Sequence, residues 1–342
     1  MAHSLPIGIT LTLVAGLMSG NCMLPMKFSR SWRWENIWLV FSVVSLVVLP
    51  WALALSLVGH LFQAYHALSF LQVAVPLLFG AGWGIAQVLF GISVQRLGLA
   101  LAYAIIVGLG ALLGTLVPLF VQHRSQVGER ALFEILLGVI VMLAGISLST
   151  WGGQIHERQV RKGNDRPEAD GKAASVYGIA VLLAILCGVM APMLNFSFAF
   201  GQDIARQAVR LGNPELSAAY AVWPIGLAGG FLPNLAYSLY LLRRARTWPL
   251  FKSAPREILL PILMGVLWMG AFALYGMSAT YLGSLGTSIG WGLFQIFMII
   301  TATLSGALTG EWKASSAAST LLRVSGLACL VCATALLSMG NQ

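Results

Sequence analysis

Long apolar stretches alternate along the chain with short polar or turn-rich breaks, and this pattern is the first guide to the fold. Crossing a bilayer takes about 20 apolar residues, and ten such stretches can be placed on the sequence. They are residues 5–26, 37–59, 73–95, 98–121, 132–151, 176–200, 216–242, 258–281, 285–309 and 317–339. The apolar residues run continuously instead of alternating, which excludes membrane strands. The pattern therefore predicts an all-α membrane protein with ten transmembrane helices, which we call spans 1 to 10.

Composition supports this reading and limits the chemistry. Of the 342 residues, 58% are hydrophobic and 9% are charged, which is more apolar surface than a soluble core can bury. The four cysteines fall inside predicted spans, at Cys22, Cys187, Cys329 and Cys332. Neither a disulfide framework nor a metal site is predicted from them, and no cofactor is expected.

One stretch of sequence occurs twice. Residues 79–98 read FGAGWGIAQVLFGISVQRLG, and residues 264–283 read MGVLWMGAFALYGMSATYLG. At a gap-free offset of 185 residues they share eight identities, including Gly80 with Gly265 and Trp83 with Trp268. We interpret this as a duplication, with 1–151 and 174–342 as two five-helix repeats and 152–173 as a polar linker. Because five spans are an odd number, the second repeat enters the membrane in the opposite sense, as in the inverted-topology repeats of secondary transporters.

The net charge of +9 is distributed by membrane side and does not form a nucleic-acid-binding domain. The loops between spans 1–2, 3–4, 5–6, 7–8 and 9–10 hold fifteen basic residues, and the opposite loops hold four. The fifteen are Lys27, Arg30, Arg33, Arg96, Arg158, Arg161, Lys162, Arg166, Lys172, Arg243, Arg244, Arg246, Lys252, Arg256 and Lys313, and the four are Arg124, Arg130, Arg206 and Arg210. Positive charge accumulates on the cytoplasmic side, which predicts that both termini lie outside the cytoplasm and the linker lies inside it.

Several motifs together carry a family resemblance. The stretches WRWEN, LPW, the repeated FGAGWGIAQVLFGISVQRLG, GTLVPLF, LGNP, GTSIGW and TGEWK lie between about Asn21 and Lys313. This set resembles the L-rhamnose-proton symporter family of the drug/metabolite transporter superfamily. The resemblance implies a ten-helix carrier of the bacterial inner membrane that imports a deoxy sugar with protons. Enteric members carry an acidic residue near the start of span 9, where residues 285–291 of this chain read LGTSIGW.

Polar side chains near mid-span indicate where a ligand could bind, because such groups are costly in hydrocarbon unless they face a cavity or a partner. The candidates are five amides, Asn21, Gln87, Asn195, Asn234 and Gln295, and six aromatic residues, Trp83, Tyr103, Trp223, Trp268, Tyr275 and Trp291. Amides donate and accept hydrogen bonds, which suits neutral hydroxyls, and aromatic faces suit the C–H face of a pyranose. Other tryptophans near span ends are expected at the membrane interface, namely Trp32, Trp34, Trp38, Trp51, Trp151, Trp248 and Trp312.

Other functional classes fit the sequence less well. The five histidines fall in termini or loops and no acidic residue lies clearly at mid-span, so an intramembrane enzyme is not expected. A channel is disfavoured because no ring of repeated charges is present. The alternatives left open are a carrier of another small metabolite, an amino acid or a cation, and an uncoupled facilitator. The sequence gives no indication of oligomeric state, and its expected surroundings are membrane lipid.

Three charged residues are candidates for ion coupling, namely Glu134, Asp203 and Lys27. A competing interpretation pairs Glu134 with Arg130 and Asp203 with Arg206, each on one helix face, with no coupled proton. Asp203 belongs to the segment GQDIARQAVRLGNP, residues 201–214, which reads as a short external surface helix ended by Gly212 and Pro214.

Overall fold

A computed structural model describes residues 4–97, 99–163, 174–310, 312 and 315–340. The regular structure in these residues is helical throughout. The α-helices are α1 (Leu5–Asn21), α2 (Trp34–Val43), α3 (Leu49–Leu57), α4 (Leu61–His66), α5 (Phe70–Leu97), α6 (Leu99–Pro118), α7 (Glu129–Gly163), α8 (Ala174–Met190), α9 (Met193–Phe200), α10 (Gln202–Arg210), α11 (Glu215–Ala218), α12 (Val222–Ala245), α13 (Leu250–Ser253), α14 (Leu259–Tyr281), α15 (Gly286–Leu308) and α16 (Ala317–Met339). Short 3₁₀ or π turns cover Leu24–Phe28, Val44–Val48, Leu119–His123, Arg124–Gln126, Ala219–Ala221, Pro255–Ile258 and Gly283–Leu285.

Ten helical segments of the described chain are long and apolar enough to cross a membrane, which confirms the all-α, ten-span prediction. They are Leu5–Phe28, Trp34–Leu57, Phe70–Val94, Leu101–His123, Glu129–His156, Gly178–Arg210, Glu215–Ala245, Pro255–Tyr281, Gly283–Leu308 and Ala317–Met339. Each overlaps its predicted counterpart. The protein is therefore a multi-pass membrane protein.

Span 6 is discontinuous. Helix α8 ends at Met190, and α9 begins at Met193 after a turn that contains Pro192. Proline has no backbone N–H and cannot continue the hydrogen-bond ladder of α8. Span 1 is also broken, because α1 gives way to the 3₁₀ turn at Leu24–Phe28, which contains Pro25. Broken helices in corresponding spans of two repeats are typical of transporter binding regions.

Two predicted segments between spans have a defined structure. The helix expected in residues 201–214 is confirmed as α10, which is followed by Gly212 with a φ of 91°, and its location on the external surface stays a prediction. The segment predicted as a linker begins as helix, because α7 continues to Gly163. Residues 164–173 of that segment, with Arg166 and Lys172, lie outside the described residues, as does Lys313.

Helix contacts follow a reciprocal pattern. Helix α1 packs against α14 and α15, which are spans 8 and 9, while α8 packs against α5 and α6, which are spans 3 and 4. Likewise α12 packs on α5, and α2 packs on α14. If span 1 corresponds to span 6, the contacts of span 1 with spans 8 and 9 match those of span 6 with spans 3 and 4. If span 2 corresponds to span 7, the contact of span 2 with span 8 matches that of span 7 with span 3. The two-repeat division stays a prediction, and the contact pattern is the one it requires.

A clamp joins the loop between spans 1 and 2 to the start of span 8. The Glu257 carboxylate accepts hydrogen bonds from the Ser29 hydroxyl at 2.6 Å and from the backbone N–H groups of Ser31 at 2.8 Å and Trp32 at 2.9 Å. The Trp32 indole N–H also donates to the Leu250 carbonyl at 3.1 Å. Trp32 is only 6% exposed, so its ring packs inside the protein and does not face lipid. We call this arrangement the Glu257 clamp.

Replacing Glu257 by Ala should lower the stability of the protein. Hydrogen bonds to a charged group each contribute about 1.5–3 kcal/mol, and the substitution removes the shared acceptor of several donors. We expect a loss of about 2 kcal/mol overall, since water replaces part of these bonds at a half-buried site. The measurement is the apparent midpoint of thermal unfolding in detergent. Glu129→Ala, at an exposed carboxylate of α7, is the matched control; equal midpoints for the two variants would contradict the role of the clamp.

Candidate functional site

The two tryptophans of the repeated motif meet in the interior. Trp83 of α5 and Trp268 of α14 stack with ring centroids 5.4 Å apart and an interplanar angle of 26°. They are 7% and 6% exposed. The two residues align with each other at the offset of 185 residues. The sequence repeat therefore brings the same side chain from two spans to one central contact.

An aromatic cluster extends from this pair. Phe272 lies 4.4 Å from Trp268 between ring centroids, and it also contacts Trp223, Tyr275 and Phe294. The aromatic cluster consists of Trp83, Phe198, Trp223, Trp268, Phe272, Tyr275, Trp291 and Phe294. Five of these were predicted from the sequence. The three phenylalanines were missed because a phenylalanine in a membrane span carries no polar signal that separates it from lipid-facing residues.

Two of the predicted amides are engaged by the protein itself. The Asn195 amide donates to the carbonyls of Gly114 and Thr287, both at 2.9 Å, and its oxygen accepts from the Tyr275 hydroxyl. Asn234 donates to the Gly230 carbonyl at 2.8 Å and accepts from the indole N–H of Trp38 at 2.9 Å. Both are 1% exposed. In this conformation they brace the helices around the aromatic cluster, and Asn195 has no donor left for a ligand.

Two other amides keep their hydrogen-bonding capacity. Gln87, one turn beyond Trp83 on α5, is half-buried, and Gln295, one turn beyond Trp291 on α15, is 7% exposed. Neither side chain makes a hydrogen bond within the described residues. A spacing of four places each amide on the same helix face as its tryptophan. Gln87 and Gln295 are therefore the amides that can offer both donors and acceptors to a polar ligand.

The indole N–H groups of Trp291 and Trp223 also differ in whether they have a hydrogen-bond partner. The Trp291 N–H donates to the Gly110 carbonyl at 3.1 Å. The Trp223 N–H is buried and has no hydrogen-bond partner within the described residues, although Trp223 itself is 2% exposed and stacks on Phe198 at 4.7 Å. An unsatisfied buried donor costs about 1–3 kcal/mol, so this group marks a place where a ligand or water could gain a hydrogen bond.

The remaining two uncharged candidates lie apart from the aromatic cluster. Asn21 ends α1, and its amide donates to the Leu17 carbonyl of the same helix at 2.8 Å. Tyr103 is half-buried near the start of α6 and makes no ring contact with the cluster. They share neither the burial nor the stacking that unites the other predicted aromatic residues.

The three charged candidates differ in exposure, because the side chain of Glu134 is 15% exposed, that of Asp203 is 38% exposed, and Lys27 is exposed. Glu134 pairs with Arg130 at 3.1 Å, and Asp203 pairs with Arg206, as the competing interpretation expected. Their arginine partners are 87% and 65% exposed at the side chain. Lys27 is exposed in the 3₁₀ turn after α1. None of the three carboxylate or ammonium groups lies in the aromatic cluster.

A buried carboxylate was missed by the sequence analysis. Glu35, in the first turn of α2, is 8% exposed and accepts a hydrogen bond from the Thr247 hydroxyl at 2.9 Å. The neighbouring Asn36 amide donates to the Thr247 carbonyl at 3.1 Å. Within the described residues no basic group lies within 4 Å of Glu35. The only signal in the sequence was an acidic residue in the WRWEN motif, which reads equally well as an exposed helix start.

A cavity of about 880 Å³ opens between the ends of spans 4, 6, 7, 8 and 9. We call it the vestibule. Asp203 and Arg206 of α10 lie on its wall, and Phe198 and Thr287 lie where it approaches the aromatic cluster. The loops around it are those between spans 4–5, 6–7 and 8–9, for which the charge distribution predicts a location on the outer side of the membrane.

Comparisons with known proteins agree on one family. The family model described as L-rhamnose-proton symport protein (RhaT) matches residues 1–341. A protein of Cronobacter sakazakii named L-rhamnose-proton symporter is 28% identical, covering 97% of this chain and 96% of its own length. Proteins of the same name from Escherichia coli O1:K1 / APEC and Yersinia pestis (strain Pestoides F) are each 26% identical and cover 97% and 99% of this chain, and 96% and 99% of their own lengths.

Proposed function

Because the chain belongs to the L-rhamnose-proton symport protein family, we propose that it imports L-rhamnose, or a similar neutral 6-deoxy sugar, together with protons. It is a transporter and not an enzyme. The full-length family match is the observation that carries this proposal. The ten membrane-crossing helices are the architecture such a carrier needs.

The geometry of the interior suits a sugar of this kind. L-Rhamnose has neutral hydroxyls, a methyl group and an apolar ring face. The Trp83–Trp268 stack supplies flat apolar surface, and Gln87 and Gln295 supply unengaged amides on the same helix faces as Trp83 and Trp291. Binding sites typically combine a mostly apolar lining with a few polar groups that fix orientation. We assign sugar binding to these residues, with Asn195 and Tyr275 holding the helices that carry them.

Transport requires that the central binding site be accessible from only one side of the membrane at a time. Two repeats of opposite orientation can exchange conformations around a central site, and this exchange gives outward-open and inward-open states of similar energy. The vestibule provides the outer approach, and Phe198 and Trp223 separate it from the rest of the aromatic cluster. Rearrangement of these stacked rings would open the path to the Trp83–Trp268 pair.

For the proton, we assign the coupling role to Glu35. It is the one buried acidic residue within the described part of the chain, at 8% exposure, and an ionisable residue buried in a membrane carrier is a functional-site candidate by default. Glu134 and Asp203 are each paired with an arginine on the same helix. Such pairs stabilise a helix end and need no coupled proton.

Orientation follows from charge. The proposed location is the bacterial inner membrane, with both termini outside the cytoplasm. The Glu257 clamp joins loops on the predicted cytoplasmic side, and the vestibule opens on the opposite side. Sugar is therefore expected to enter through the vestibule and to be released into the cytoplasm on the side of the Glu257 clamp.

The test of sugar transport is uptake of labelled L-rhamnose into proteoliposomes with a pH gradient, acid outside. The unmodified protein should accumulate the sugar above the outside concentration. Trp83→Ala should lower kcat/KM by about tenfold, because it removes an aromatic face that packs on the sugar ring. Gln87→Ala should lower it by about fivefold, because it removes one hydrogen-bonding group.

Matched controls separate binding from folding. Trp151 is a 59% exposed tryptophan of α7, and Gln63 is an exposed amide of α4. Trp151→Ala and Gln63→Ala should transport at close to the unmodified rate. Normal uptake by both Trp83→Ala and Gln87→Ala would remove α5 from the site, and a protein stabilised by a cation or amino acid but by no sugar would overturn the substrate assignment.

A further inference from the structure

The vestibule has the size of a ligand site. Its volume of about 880 Å³ lies within the range of about 300–1,000 Å³ that is usual for small-molecule pockets. Five spans contribute to its wall, so its shape depends on the conformation of both halves of the chain. A monosaccharide would fit inside it together with several water molecules.

Its charges are balanced. Two carboxylates, Asp203 and Glu215, and two guanidinium groups, Arg206 and Arg210, lie on the wall. Asp203 and Arg206 pair with each other. A phosphate or carboxylate ligand would meet the two acids, and a cation would meet the two arginines. A neutral ligand whose hydroxyls both donate and accept can use all four groups without an uncompensated charge.

Amides add uncharged contacts. Gln202 and Gln122 line the cavity, and each uses one amide hydrogen to bond a backbone carbonyl of α9, that of Phe198 at 2.9 Å and that of Ala199 at 3.2 Å. Each amide keeps a second N–H donor and an oxygen acceptor. The α9 backbone thus fixes both side chains, which limits the entropy that they lose when a ligand binds.

Unsatisfied polar groups lie beneath this wall. The Thr287 hydroxyl oxygen is buried without a hydrogen-bond partner in the described residues, although Thr287 borders the cavity. The Trp223 N–H, under the stacked ring of Phe198, is unsatisfied in the same sense. The unsatisfied Thr287 hydroxyl at this boundary marks the side on which a hydroxylated ligand would gain a bond that the protein does not supply.

From these observations we infer that the vestibule is a second monosaccharide site, a loading site on the entry side, separate from the Trp83–Trp268 stack. Gln202 and Gln122 bind its hydroxyls, and the paired Asp203 and Arg206 flank it. This inference rests on the proposed function. Its consequence is that the sugar binds twice on its way inward, first above Phe198 and then at the aromatic cluster.

The first test is equilibrium binding of labelled L-rhamnose to purified full-length protein. Gln202→Ala should raise the Kd by about fivefold, the effect of one lost hydrogen bond. Gln207→Ala is the matched control, because Gln207 lies on the same helix, bonds only Arg210 and does not line the vestibule. Its Kd should stay within about twofold of the unmodified value.

A second test does not depend on the Gln202 variant folding. In a Cys332→Ser background, a cysteine at exposed Ser284 on the vestibule wall should react with a maleimide several-fold more slowly when L-rhamnose is present. A cysteine at exposed Ser69, on the loop between spans 2 and 3, should react equally with and without sugar. Unchanged Kd in Gln202→Ala and no protection at residue 284, in a protein that still transports rhamnose, would overturn the loading site alone. Failure of the unmodified protein to bind or transport any sugar would overturn the proposed function and this inference with it.

Discussion

Gly80→Ala is expected to abolish the folded protein, although it adds a single methyl group. A Cβ at Gly80 of α5 would overlap the backbone carbonyl of Gly226 on α12. The next turn repeats the contact, since a Cβ at Gly84 would meet the Gly230 carbonyl. A side chain can rotate away from a clash, but two helix backbones can relieve this one only by moving apart. We expect a cost of about 3 kcal/mol or more, together with loss of the close helix packing that small residues permit in membranes.

The control is Gly91→Ala on the same helix and in the same repeated motif. Apart from its two chain neighbours and the nearby backbone of its own helix, no described atom lies within 4 Å of a Cβ at that position. Alanine favours a helix over glycine by about 1 kcal/mol, so Gly91→Ala should be neutral or stabilising. Yield of monodisperse protein on size-exclusion chromatography and the thermal midpoint report both results. If Gly80→Ala behaves like Gly91→Ala, the backbone contact between α5 and α12 is not as close as described.

Glu35→Gln is expected to uncouple transport from the pH gradient. Glutamine keeps the size of the side chain and its oxygen can still accept the hydrogen bond from Thr247, but it cannot take up or release a proton. With the outside acidic, the variant should therefore equilibrate L-rhamnose across the membrane but should not accumulate it above the outside concentration. Counterflow exchange should stay within about twofold of the unmodified protein, because exchange needs no net proton movement.

Glu134→Gln and Asp203→Asn provide the comparison, since each carboxylate is ion-paired with an arginine of its own helix. Each variant should retain uphill accumulation. Normal accumulation by Glu35→Gln would show that another group carries the proton, and loss in Asp203→Asn alone would move the assignment to the vestibule. If the pH gradient drives no uptake in the unmodified protein, it is a facilitator and the symport proposal is wrong.

Span positions could be read from the sequence because the property that decides them is local. A stretch such as residues 317–339 is apolar regardless of its neighbours, and the structure has a helix at Ala317–Met339. The end of α10 before Gly212 was likewise local, since glycine tolerates a positive φ, whereas the break of span 6 at Pro192 was not predicted. Composition placed the chain in a membrane, and the duplicated motif singled out Trp83 and Trp268 before any contact was known.

Tertiary structure decided which candidates are available for a ligand. Asn195, Asn234, Gln87 and Gln295 look alike in the sequence, yet the first two are engaged with groups far away along the chain. Asn195, for example, bonds Gly114, Thr287 and Tyr275. Hydrogen-bond partners of this kind are set by how helices pack, and hydropathy contains no information about them.

The packing between helices also explains the features that could not be predicted from the sequence. Glu35 is buried because Thr247 and the loop before span 8 cover it, and Glu257 is a clamp because the loop at residues 29–32 turns its N–H groups toward it. The vestibule exists only where the ends of five spans meet. The sequence by itself determined the ten spans and the membrane environment, because these follow from each segment's own affinity for lipid. Which polar groups are satisfied, buried or open to a sugar was decided only by the packing between segments.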